Sequence, residues 1–216
     1  MLTLENIECK KNEQIIFAGL GFSLFLGSAL IVSGKNGSGK TSLLKIVSGV
    51  YKESNGKILW SGENIENFRD DFNGDLQFIG HKNFLKQDLS VLDNLHFYAK
   101  LHDSEMLVPA ALRFFKLEDL AREKVKNLSA GWQKRVQLAR LLACPATIWV
   151  LDEPSNNLDA EGKKLLKGLI ETHLENSGVV VLATHDEEFF KLGSVICLED
   201  FIYHNLSVSH KLIPNK

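Results

Sequence analysis

Cysteine is scarce in this sequence, and none of it is arranged for chemistry. Cys9, Cys144 and Cys197 stand far apart, form no C-x-x-C and cannot all pair. That excludes a disulfide framework and reads as reduced, mostly buried thiols in a cytoplasmic protein. An excess of one charge is also missing. The 25 Lys and Arg nearly balance the 27 Asp and Glu, leaving −2, so bulk electrostatics give no reason to expect nucleic acid. Repeats and low-complexity tracts are absent, and no basic-then-apolar leader opens the sequence.

Residues 15–34 lack charge altogether, over about the length that spans a bilayer. Gly19, Gly21, Gly27 and Ser28 interrupt the run, and it ends inside a glycine loop that must be in water. Two strands broken at Gly27-Ser28 account for it better than a membrane span.

What is present is concentrated in that loop. Gly34-Lys35-Asn36-Gly37-Ser38-Gly39-Lys40-Thr41 spells G-x-x-x-x-G-K-[ST]. The apolar run Ala29-Leu30-Ile31-Val32 before it reads as a buried strand, and Ser42-Leu43-Leu44-Lys45-Ile46-Val47 after it as a helix. Strand, glycine loop, helix is the context that a phosphate-binding loop requires. Glycine lets the main chain bend until its N–H groups reach phosphate oxygens. The helix start adds unpaired N–H groups and partial positive charge. Lys40 is placed to reach the β- and γ-phosphates of a nucleotide, and the Thr41 hydroxyl to hold Mg²⁺.

The 216 residues suffice for one domain, at most two. Residues 1–26 read as two antiparallel strands turning at Lys10-Lys11-Asn12-Glu13. Lys57-Ile58-Leu59-Trp60 and Leu76-Gln77-Phe78-Ile79 follow as strands. From residue 84 to about 145 the period becomes helical. Leu92, Leu95 and Ala99 share one face; Leu107, Ala110, Ala111 and Phe114 share another, with Pro109 as a kink or a true start; a third helix begins at Ser129. That third helix holds Val136, Leu138, Ala139, Leu141 and Leu142. Thr147-Ile148-Trp149-Val150-Leu151, Val179-Val180-Val181-Leu182 and Val195-Ile196-Cys197-Leu198 read as buried strands, the first as a central parallel one. Leu166, Leu169, Ile170 and His173 line a helix between the first two of these. The pattern weakens from Asn205, where fraying is expected. The expected architecture is α/β: core at about 1–83 and 146–205, with a helical subdomain at about 84–145 inserted between its halves.

Asp152 and Glu153 follow the central strand, and ligands bind beyond the carboxyl ends of parallel strands. Asp152 is then the Mg²⁺ partner of Thr41, and Glu153 the group that orients or deprotonates an attacking water. His185 ends the next strand and can sense a γ-phosphate. Ser129 is the N-cap of the third helix, whose start, Ala130-Gly131, is left open by small residues.

In this order the pieces resemble the ATP-binding cassette (ABC) ATPases over nearly the whole chain. The loop at residues 34–41 is similar to the family's Walker A; Leu128-Ser129-Ala130-Gly131-Trp132 to its L-S-G-G-Q signature; residues 148–153 to Walker B; Ser155-Asn156-Asn157-Leu158-Asp159 to the S-x-x-L-D loop; and His185 to the switch histidine. The resemblance implies a P-loop cassette of residues 1–216, with a mostly parallel core sheet, an antiparallel β subdomain and an inserted helical subdomain. It implies ATP and Mg²⁺ as ligands, Glu153 and His185 as catalytic residues, and a homodimer in which Ser129, Ala130 and Gly131 of one copy complete the nucleotide site of the other.

Three positions depart from the family pattern. Lys10-Lys11-Asn12 stands where an aromatic usually stacks on adenine, His81 where a glutamine usually approaches Mg²⁺, and Ala130 with Trp132 in the signature. His81 and its Ile79-Gly80 lead, Leu128-Ser129-Ala130-Gly131, the opening Glu8-Cys9-Lys10-Lys11-Asn12-Glu13-Gln14-Ile15-Ile16-Phe17 and Leu92-Asp93-Asn94-Leu95-His96-Phe97-Tyr98 resemble the haem exporter ATPases of bacterial cytochrome c maturation. This implies integral membrane permease subunits as partners, with Phe84 and Leu85 as candidate docking residues, and a peripheral place on the cytoplasmic face of the inner membrane. Other exported cargo is the alternative. A ribosome- or DNA-acting cassette fits less well: there is one cassette, no sustained heptads between Gly34 and Leu128, and no basic balance. The N-K-x-D motif of GTPases is absent.

Overall fold

The computed structural model describes residues 1–81 and 84–202; the expectation for the chain from Asn205 lies outside them. The chain opens as a hairpin. β1 (Leu2–Lys11) and β2 (Gln14–Leu24) pair antiparallel, from Leu2↔Leu24 to Lys11↔Gln14. Asn12 and Glu13 turn it with φ of 49° and 61°, the left-handed pair whose twist matches the flanking strands. Then come β3 (Ala29–Ser33), α1 (Lys40–Val47), β4 (Asn55–Trp60) and the two-residue β5 (Glu63–Asn64). β4 adds to β1, giving an antiparallel sheet of order β2-β1-β4-β5.

α2 (Arg69–Gly74) leads into β6 (Leu76–Ile79), and three helices follow: α3 (Val91–Lys100), α4 (Val108–Phe114) and α5 (Ala130–Ala143). The chain returns through β7 (Ile148–Asp152), α6 (Ala160–Glu175), β8 (Val179–Ala183) and β9 (Ser194–Cys197). A second sheet, of order β6-β7-β8-β3-β9, is parallel throughout. Every residue of β7 and β8 is buried, as continuous apolar strands covered on both faces must be.

Alternation along these strands builds two cores. Ile31, Trp149, Leu151, Val180 and Leu182 face α3, α4, α5 and α6. Leu30, Val32, Ile148, Val150, Val179 and Val181 face α1 and the hairpin sheet. A period of two places successive side chains on opposite faces. The helices of residues 91–143 thus share one hydrophobic core with a face of the parallel sheet. At ~25 cal/mol per Å² of apolar surface removed from water, each fully buried Leu, Ile or Val contributes about 1.5–3 kcal/mol before chain entropy is charged against it.

One open alternative is settled and two local readings need correction. Pro109 is the second residue of α4, so it marks a start and not a kink. The face of α4 that packs is Val108, Ala111, Leu112 and Phe115, so of the four residues expected inside only Ala111 is fully buried. A 3₁₀ turn over Glu105–Leu107 delivers the chain one residue out of the expected register. β9 is an edge strand among the described residues: it pairs with β3 alone, and Val195 is 45% exposed.

Candidate active site

The parallel strands β3, β7 and β8 end on one edge, and the loop of residues 34–39 crosses it. Its tightness is a demand on residue type. Gly39, just before α1, has φ 102°, and a Cβ there would come 2.7 Å from the Ile16 side chain. Only glycine accepts that conformation without strain. The Ser38 hydroxyl is buried in the loop and has no hydrogen-bond partner among the described residues. A buried, unpaired hydroxyl beside the free N–H groups of a helix start fits an oxyanion ligand.

Lys40 is nearly buried, and its ammonium lies across the mouth of the loop. It donates to the carbonyls of Gly34 at 2.5 Å and Lys35 at 3.2 Å, and stands 3.0 Å from His185 Nε2. The Thr41 hydroxyl donates to Asp152 Oδ2 at 2.9 Å. Asp152 is 2% exposed, at the carboxyl end of β7. A hydroxyl and a carboxylate so close are hard oxygen donors suited to Mg²⁺, whose remaining ligands would be water and phosphate oxygens. Thr41 and Asp152 therefore fit that ion.

Glu153 adopts φ 47°, rare for a residue with a side chain, and its N–H donates to Ala183 O at 2.9 Å. Its carboxylate lies 3.3 Å from His185 Nε2, which is also 3.1 Å from Asn36 Oδ1. One ring nitrogen cannot serve a cation, a carboxylate and an amide oxygen together, so the ring's proton decides which it holds. His81 is exposed and lines the same cleft of about 1210 Å³, which extends to the hairpin at one side and to residues 155–158 at the other.

Ser129, Ala130 and Gly131 do not line this cleft. Ser129 caps α5, its hydroxyl accepting the Trp132 N–H at 3.4 Å. The start of α5 is nonetheless tied to the loop of residues 155–159. A Cβ on Gly131 would approach the Asn157 carbonyl oxygen to 2.8 Å, so the contact requires glycine. Arg135, one turn on, pairs with Asp159 at 2.7 Å and Glu161 at 3.1 Å, and its guanidinium lies 4.8 Å from the Trp132 ring centre. The Arg135 guanidinium holds the Asp159 carboxyl below its ordinary range.

Sequence reasoning missed Lys134 and Arg135. Both are buried, in a helix that buries residues 134–139 on all sides. Burial pushes the Lys134 ammonium down to about 8, against the upward pull of Asp152 and Glu153, so a buried cation on α5 feels the charge of both carboxylates. The neighbouring pair Lys134-Arg135 carries the signal of a solvated helix face, and only the packing around α5 reveals otherwise. Phe84 and Leu85 part company: Phe84 is 60% exposed, while Leu85 is buried in the core under α3 and α5.

Residues 17–156 match the family model described as ABC transporter. The cytochrome c biogenesis ATP-binding export protein CcmA of Vibrio vulnificus (strain YJ016) is 38% identical over 192 residues, spanning 88% of this chain and 94% of that protein. Among solved structures, cbiO1 from Clostridium perfringens, part of the ABC transporter complex cbiONQ, is 25% identical with a TM-score of 0.76, over 91% of this chain and 83% of that one. A dimeric ATP-binding cassette in a post-hydrolysis state, bound to ADP and Pi, has a TM-score of 0.80 at 24% identity, over 91% and 94% of the two chains, and shows the shared fold.

Proposed function

The chain belongs to the ABC transporter family, and from that premise we propose that it is the ATP-hydrolysing subunit of an exporter serving cytochrome c biogenesis. It binds ATP and is an ATPase. The observation that carries the assignment of roles is the convergence at one sheet edge. The sequence-distant pairs Lys40–His185, His185–Glu153 and Thr41–Asp152 each lie within 3.3 Å, beside a loop whose buried Ser38 hydroxyl has no hydrogen-bond partner among the described residues.

The loop N–H groups and the start of α1 hold the phosphates, and the Lys40 ammonium turns from the Gly34 and Lys35 carbonyls to the β/γ bridge. Thr41 and Asp152 would hold Mg²⁺, which supplies charge neutralisation between the phosphates. Glu153 accepts a proton from the attacking water or orients it, and His185 donates to the γ-phosphoryl oxygens from a ring already placed between Lys40 and Glu153. His81 borders the same space and would be a candidate to hold the ion or its water.

The subunit works as a dimer. Ser129, Ala130 and Gly131, outside their own cleft, face the nucleotide of the second copy and add donors to its γ-phosphate. Loss of that phosphate removes the charge holding the copies together, and the dimer opens. Residues 1–216 form one cassette whose helical part, about 84–145, meets integral membrane permease subunits of the haem exporter complex at the cytoplasmic face of the inner membrane. Among the described residues no helix is long and apolar enough to cross a membrane. Phe84 is the docking residue of the Phe84-Leu85 pair, being exposed where Leu85 is buried.

Sizing of Glu153→Gln at saturating Mg-ATP tests the sandwich: a nucleotide-dependent dimer is expected, and a monomer overturns it. Deleting the gene and assaying covalently bound haem in c-type cytochromes tests the cargo: its loss is expected, and normal cytochrome c would assign the subunit to another export. Phe84→Glu is expected to abolish co-purification of the permease subunits with the fold intact; unchanged co-purification would reject that surface.

A further inference from the structure

The nucleotide cleft has two unlike ends. Around Thr41, Asp152, Glu153 and His185 it is polar and charged. Its apolar wall comes from the first hairpin, where Ile15 and Ile16 enter it, and from Ile202. Ile16 abuts the phosphate loop at Gly39, so a nucleoside leaving the loop on this side meets an aliphatic surface at once. No Phe, Tyr or Trp lines the cleft among the described residues. Lys11 borders the same end. The residue is exposed and its ammonium has no ion-pair or hydrogen-bond partner among the described residues, whereas that of its neighbour Lys10 pairs with Glu8 at 3.0 Å. Gln14, paired across the hairpin with Lys11, also lines the wall.

We propose that Lys11 is the base-binding residue of this site, that its ammonium covers one face of a purine resting against Ile16, and that the site accepts ATP and GTP alike. This rests on the phosphate-loop reading above. An ammonium over a π-face is attractive for either purine, because both rings present the same negative face. Aliphatic contact with Ile15, Ile16 and Ile202 is equally indifferent to exocyclic groups. Gln14, the one amide on this wall among the described residues, carries both a donor and an acceptor, so it satisfies the adenine amino group or the guanine carbonyl by rotating. Discrimination between bases needs a buried group that the wrong base leaves unpaired, and among the described residues this open wall supplies none. A pyrimidine covers less of the aliphatic surface and is expected to bind more weakly.

Equilibrium titration of the intact protein with ATP, GTP, CTP and inorganic tripolyphosphate, each with Mg²⁺, tests the proposal. ATP and GTP are expected to bind within about threefold of each other, CTP more weakly. Lys11→Ala is expected to weaken ATP and GTP together by about two- to five-fold, with tripolyphosphate binding unaffected. Lys11→Arg restores affinity, since a guanidinium also stacks on a ring. GTP weaker than ATP by more than about thirtyfold, roughly 2 kcal/mol, would overturn the inference. So would a Lys11→Ala protein that binds ATP normally, or one that loses tripolyphosphate as much as ATP, which would make Lys11 a phosphate contact. In each of those cases the phosphate-loop reading stands. A wild-type protein that bound none of the four would overturn both.

Discussion

The phosphate-loop edge and the start of α5 are held by different forces. At the edge, charged groups from residues far apart in sequence converge: Lys40 on His185 at 3.0 Å, His185 on Glu153 at 3.3 Å, Thr41 on Asp152 at 2.9 Å. At the start of α5 the one hydroxyl, that of Ser129, caps its own helix, and position comes from packing: Gly131 against the Asn157 carbonyl, Arg135 on Asp159 and Glu161, Leu138 and Ala139 fully buried. The first region carries its chemistry within one copy. The second is a packed surface that lies outside its own cleft, and in the proposed dimer its helix start serves the other copy's phosphate. A change at the edge should therefore cost chemistry and spare the fold, whereas a change beneath α5 should cost the fold.

The largest test of that contrast is Glu153→Gln. Turnover should fall by about 10²–10⁴-fold while ATP affinity and melting temperature hold, because general base catalysis is lost and no packing is. Steady-state hydrolysis with a binding titration checks it. Lys40→Ala sharpens the point: nucleotide binding should vanish with little change in melting temperature. Leu138→Ala is the converse. It should cost about 2–5 kcal/mol in denaturant unfolding, through lost burial and a cavity, and leave ATP affinity of the folded fraction unchanged. Equal loss of stability in Lys40→Ala and Leu138→Ala would break the comparison.

Gly131→Ala falls between the two regions. Its methyl must displace Asn157, so the start of α5 and the loop of residues 155–159 shift together. Turnover should drop about ten- to a hundredfold at near-normal ATP affinity, since misplacement by a fraction of an ångström is felt in the transition state. The smallest effect is expected at His173, remote from both. It stacks on Trp149 at 3.6 Å, and burial holds its imidazole below its ordinary value, against the upward pull of hydrogen bonds at Thr147 and Val179. A depressed histidine contributes stability above its unfolded pKa of about 6.5, because the unfolded state binds the proton first. Stability should therefore decline modestly as pH falls below that value, and His173→Gln should flatten the slope in melts followed between pH 5 and 8.

Legibility differs by residue for physical reasons. The hairpin, the loop and α1 were readable because each is specified by neighbours: Asn12-Glu13 for the turn, Gly39 for the loop, continuous apolar runs for β3, β7 and β8. The inward face of α4 was not, because the turn at Glu105–Leu107 sets its rotation and has no periodic signature. Phe84 and Leu85 are indistinguishable by type, yet one is exposed and the other buried. Lys134 and Arg135 read as surface, and α5 buries both.

The sequence by itself determined the main-chain geometry of the phosphate loop, the helix caps and the strands, because φ preferences, side-chain caps and alternation act over a few residues. Only the tertiary structure decided the order β6-β7-β8-β3-β9, the meeting of Thr41 with Asp152 across 111 residues, and the burial of Lys134 within the field of Asp152 and Glu153. Those outcomes depend on how distant segments close on one another, and on the low-dielectric interior that forms only after they have closed.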